Sequence, residues 1–75
     1  MAQWSVTMFA YLKDRHGEVV RVESEPSVRA VLEALKDYGV DTSSCRLAVN
    51  LYFAEPDDAL SAGDNLALIP PVSGG

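Results

Sequence analysis

Asn65-Leu66-Ala67-Leu68-Ile69-Pro70-Pro71 is the stretch whose reading decides the fold. A Gly63-Asp64 turn signal precedes it and two prolines follow it. Between those limits Asn65 to Ile69 reads as a short β-strand. Proline has no N–H to give a sheet ladder, so pairing should stop at Pro70. The fold then depends on where this last strand finds its neighbours.

Working outward, Leu47-Ala48-Val49-Asn50-Leu51 reads as the strand before it, with Glu55-Pro56-Asp57-Asp58 a loop and Leu60 a plug for the core. Val40 to Arg46 is a polar connector. Upstream, Val28, Val31, Leu32, Leu35 and Tyr38 recur at helical spacing and make one apolar stripe. Ser27 is placed as its N-cap, Pro26 suits the helix start, and Gly39 is placed to end the helix in a left-handed conformation. Val19 to Glu23 is a strand. Trp4 to Ala10 alternates as another, with Trp4, Val6, Met8 and Ala10 on one face. Lys13-Asp14-Arg15-His16-Gly17 between them reads as a charged turn.

The order strand, strand, helix, strand, strand predicts an α+β domain in which one main helix packs on one face of a mixed sheet. A right-handed crossover after the second strand lets the last strand lie centrally, beside the first. That arrangement is a β-grasp, the ubiquitin-like fold. The domain is read as residues 1–69, with 70–75 a projecting tail.

Composition limits what such a domain can do. With 75 residues, 48% of them hydrophobic, the chain is globular and fits one domain. A core this small supplies about 3–5 kcal/mol, so a self-contained enzyme with a deep pocket is not expected. Six basic residues against eleven acidic ones give a net charge of −5. Such a chain repels phosphate backbones and anionic membrane surfaces, so neither nucleic acid nor membrane is an expected partner. One cysteine cannot make an internal disulfide, and Cys45 with His16 falls short of a structural zinc set. Together with the lack of a signal-type N-terminus or an apolar membrane-length run, this leads us to expect a cytoplasmic protein.

The stretch Pro70-Pro71-Val72-Ser73-Gly74-Gly75 carries the chemistry. Frayed ends are the common fate of termini. Here a stiff Pro-Pro exit projects a slender tip, and six extended residues reach roughly 20 Å. Gly74 and Gly75 let backbone pass where any Cβ would clash. A carboxylate on Gly75 is a poor electrophile until it is adenylated. A persulfide can then displace AMP and finally leave a thiocarboxylate.

With these features the chain resembles the MoaD/ThiS family of ubiquitin-like sulfur carriers, and within it the MoaD branch, the small subunits of molybdopterin synthase. The likeness runs over essentially the whole chain. It rests on Phe9-Ala10, Ser27-Val28, Ala48-Val49-Asn50, Gly63-Asp64 and, above all, the Pro-Pro-Val-Ser-Gly-Gly ending. The resemblance implies that Gly75 is adenylated by a MoeB-type enzyme with ATP and thiocarboxylated. The tail would then enter a MoaE-type large subunit and give sulfur to precursor Z. Two small and two large subunits would assemble, the catalytic side chains would belong to the partner, and no cofactor or metal would be held stably by this chain.

The resemblance also implies contacts from Phe9, Phe53, Ile69, Pro70, Pro71, Val72 and Ser73 to the large subunit. Alternation supports an outward Phe9 and Ile69, two apolar groups on the open face near the tail. Counting from Val49, however, alternation puts Tyr52 outward instead of Phe53. Cys45, in a polar connector without a nearby His, reads as an incidental thiol, His16 as a loop residue, and Glu55 to Asp58 as a solvated loop. Other readings of the same tail are a sulfur carrier for thiamine, cysteine or tRNA thiolation, a ubiquitin-like modifier that forms an isopeptide with lysine, and an interaction domain with an inert end.

Overall fold

Strict alternation makes a strand of Ala2–Met8 (β1), with Trp4, Val6 and Met8 turned inward and buried. The computed structural model describes residues 1–71. The expectations placed on Val72, Ser73, Gly74 and Gly75 lie outside these described residues.

β1 ends two residues sooner than the alternation suggested, and Ala10 is not in the core. Phe9 stays extended (φ −131°, ψ 159°) and caps a short helix, α1 (Ala10–His16). The charged run read as a turn is therefore the end of a helix. Ala, Leu, Lys and Arg all favour helix. Lys13, Arg15 and His16 sit in the last turn, where the helix dipole favours cations. Leu12 is its single buried anchor. Gly17, at φ 92°, turns the chain into β2 (Val19–Ser24), which pairs antiparallel with β1 from Ala2↔Ser24 to Thr7↔Val19.

Ser27 caps α2 (Val28–Tyr38) as the sequence required, its Oγ accepting from the Ala30 N–H at 3.1 Å. Gly39 closes the helix at φ 110°, ψ 8°, in the left-handed region. Val28, Val31 and Leu35 face the sheet and are buried. Each such side chain contributes about 1.5–3 kcal/mol relative to exposure. Tyr38, assigned to the same stripe, is instead 60% exposed, because the stripe has rotated past the sheet by the last turn.

The sequence suggested one strand from Leu47 to Leu51. The structure has two, β3 (Arg46–Val49) and β4 (Tyr52–Phe53), folded back on each other as a hairpin. The register Val49↔Tyr52 leaves Asn50 and Leu51 as a two-residue turn with φ 52° and 75°. Two positive φ values in a two-residue loop match the right-handed twist of the flanking strands.

The last strand, β5 (Leu66–Ile69), lies at the sheet centre. The order is β2-β1-β5-β3-β4, with β5 parallel to β1 and antiparallel to β3. Leu66 and Leu68 point under α2 and join the core with Leu47, Val40 and Leu60, the last filling the role expected of it. The sheet is therefore mixed, five-stranded, and covered on one face by one long and one short helix.

Candidate docking face and tail exit

The sheet's other face is built in rows fixed by register. Thr7 lies beside Ala67, Ala67 beside Ala48, and Ala48 beside Phe53. The next row places Ile69 opposite Arg46. Met8 pairs with Leu68 in the parallel ladder, so Phe9 and Ile69 leave the sheet at the same end. Small Ala48 and Ala67 between larger neighbours leave a shallow depression of about 360 Å³, lined in part by Phe9, Leu51, Phe53 and Ile69.

Phe9 is 45% and Phe53 55% exposed, and Ile69 is half-buried. The turn at Asn50-Leu51 resolves the parity conflict at Phe53. Two residues spent in the turn put Tyr52 opposite Val49, so Phe53 shares the face of Ala48. Arg46 lies over the Phe53 ring, its guanidinium carbon 4.1 Å from the centroid. Leu51, at the hairpin tip, is 96% exposed. Sequence reading missed Leu51 and Arg46 as part of this face. Asn50 was the available signal, since Asn tolerates the left-handed region and favours turns.

The chain departs from this face. β5 ends at Ile69, and Pro70 and Pro71 lie beyond it, Pro70 half-buried and Pro71 exposed. Phe9, Phe53, Ile69, Pro70 and Pro71 are thus brought to one face and one end of the sheet. Val72, Ser73, Gly74 and Gly75, named for contact or chemistry, fall outside the described residues.

The far end of the face is held by polar bonds. Asp64 Oδ2 accepts from the Ser61 N–H at 2.8 Å and Oδ1 from Asn50 Nδ2 at 3.0 Å. These bonds, the Ser61 N–H first, hold the Asp64 carboxyl below the usual range.

The other candidates fall elsewhere. Cys45 Sγ donates to the Asp41 carbonyl at 3.7 Å, and desolvation, aided by the Asp41 charge, pushes its thiol pKa up. The thiol is held protonated, the opposite of what a nucleophile needs. His16 ends α1. The run Glu55 to Asp58, read as a solvated loop, braces α2: the Pro56 and Asp58 carbonyls accept from the Arg29 and Val28 N–H groups. Asp57 pairs with Arg29 at 2.6 Å. Among the described residues no cluster of His, Cys, Asp or Glu could hold a metal ion, and no helix is long and apolar enough to cross a membrane.

A mixed sheet with a parallel central pair, one long helix across it and a tail leaving the central strand defines a ubiquitin-like β-grasp protein. The chain belongs to the ThiS family of ubiquitin-like sulfur carriers, whose family model matches residues 6–75. Among solved structures it is similar to SAMP1 from Haloferax volcanii, with 31% identity, a TM-score of 0.73, and 99% of this chain and 100% of that one covered. A second crystal structure, of H. volcanii small archaeal modifier protein 1, matches at 29% identity and the same TM-score, covering 96% of this chain and 100% of that one. The protein–protein complex of subunits 1 and 2 of molybdopterin-converting factor from Helicobacter pylori 26695 contains a chain of the same fold. It matches at 23% identity and a TM-score of 0.63, with 99% of this chain and 100% of that one covered. No curated protein sequence matches significantly.

Proposed function

We propose that this chain is the sulfur carrier subunit of a molybdopterin synthase. The observation that carries the reading is the placement of an apolar face, Phe9, Phe53 and Ile69, at the root of the Pro70-Pro71 exit. A carrier must dock by its body while its end enters another protein's active site, and here both features share one end of the sheet. A MoeB-type enzyme would activate Gly75: its α-carboxylate attacks the α-phosphorus of ATP and pyrophosphate leaves. A persulfide sulfur then attacks the acyl carbon and AMP leaves. A second thiol cleaves the resulting acyl disulfide, which releases the thiocarboxylate and leaves a disulfide behind. A MoaE-type large subunit, in a complex of two small and two large subunits, would accept the tail and pass sulfur to precursor Z. This chain supplies the docking face and the sulfur-donating end, and the catalytic side chains are the partner's.

The test is reconstitution. Thiocarboxylated chain mixed with the large subunit should convert precursor Z to molybdopterin in proportion to carrier consumed. Binding without conversion would move the protein to another thiolation pathway.

A second reading, a protein modifier joined through Gly75 to lysine, is favoured by the 31% identity to SAMP1, a small archaeal modifier protein. Higher-mass conjugates that vanish when Gly75 is deleted would support it.

A further inference from the structure

Leu51 combines two properties that a hairpin turn ordinarily avoids. It sits at φ 75°, where a side chain is strained and glycine is favoured, and it is 96% exposed. Neither folding nor solubility accounts for a leucine there. A strained residue that persists points toward a use outside the fold. Leu51 also lines the same depression as Phe9, Phe53 and Ile69. On the other side of Phe53, the Arg46 guanidinium lies on the ring, and among the described residues it has no ion-pair partner. Stacking presets the planar fork, so little freedom is lost when a carboxylate binds to it.

We propose that Leu51 and Arg46 form a recognition pair that reads a protein partner bearing an apolar socket beside a carboxylate. This rests on the reading above that the chain docks on a large subunit, and it adds which chemistry that subunit presents. Charge argues against a second copy as the occupant, because two chains of −5 each repel. Leu51 enters the socket from the hairpin tip while Arg46 takes the carboxylate bidentately at the edge of the apolar face. The tip is firm enough to serve as an anchor. Asn50 beside it donates to Asp64 Oδ1 and accepts from the Asn65 N–H, at 3.0 and 2.9 Å.

The test is calorimetric titration of the full chain with the synthase large subunit, run beside thermal unfolding and sedimentation of the free chain. Leu51→Gly removes the side chain and relieves the positive φ. It should raise Tm by about 5 °C yet weaken binding about tenfold. Opposite signs for stability and affinity cannot come from misfolding. Arg46→Lys keeps the charge but loses the fork, and should weaken binding about fivefold. Wild-type binding with Leu51→Gly unchanged in affinity overturns the pair and leaves the large-subunit reading intact. No binding by wild type overturns both. Self-association abolished by Leu51→Gly would assign the surface to a second copy and overturn the proposal.

Discussion

The side-chain amide of Asn50 donates to Asp64 Oδ1 at 3.0 Å, tying the tip of the β3–β4 hairpin to the turn that feeds β5. The bond is one of a set. The Asn65 N–H donates to Asn50 Oδ1 at 2.9 Å, and the Asn50 N–H donates to the Asn65 carbonyl at 2.8 Å. One side chain thus fixes the tip that bears Leu51 relative to the central strand that ends in the tail.

Replacing Asn50 by Ala removes both side-chain bonds and leaves a Cβ residue at φ 52° without compensation. Each bond is worth about 1 kcal/mol and the left-handed conformation costs about another. Asn50→Ala should therefore lose about 3 kcal/mol in urea unfolding followed by the emission of buried Trp4. Asn50→Gly should lose less, because glycine accepts the φ.

Asp64 makes the same link pH-sensitive. Its folded carboxyl titrates below the ordinary aspartate value of 3.8. A depressed folded pKa gives stability that is fully present above 3.8 and lost as pH falls through the folded pKa. Asp41, depressed by the Ser43 backbone N–H and then its side chain, acts in the same direction. Asp64→Asn should thus be less stable than wild type at neutral pH and converge with it in acid. Parallel curves would contradict the assignment.

Phe9 and Leu68 separate face from core. Leu68 is fully buried in the central strand, and Leu68→Ala should cost about 3 kcal/mol in unfolding. Phe9→Glu, at a half-exposed cap, should change stability by less than about 1 kcal/mol while weakening binding to the large subunit. Unchanged affinity would remove Phe9 from the docking face.

Cys45 should behave as an inert thiol. Desolvation raises its pKa, so alkylation by iodoacetamide at neutral pH should run slower than for an unstructured cysteine and catch up after unfolding.

What could be read from the sequence follows the strength of each local signal. The α2 stripe, its Ser27 cap and its Gly39 stop all pointed the same way and came out as read, save Tyr38. β5 was legible because turn and proline signals bounded it on both sides. α1 was not, since seven residues with one buried anchor carry no periodicity. The β3–β4 hairpin was hidden because its turn is Asn-Leu where the strong signal would be Asn-Gly. That single unread turn reversed the parity of Tyr52 and Phe53, and with it the account of the docking face. Arg46 and Leu51 join the face only through register, which sequence alone leaves open.

The central claim is that Gly75 becomes a thiocarboxylate. Intact mass spectrometry after incubation with the activating enzyme, ATP and a persulfide donor tests it most directly. The account predicts a mass gain equal to replacing one oxygen by sulfur, lost on mild hydrolysis and absent when Gly75 is deleted. An unshifted mass, with no trapped acyl-adenylate, would contradict it.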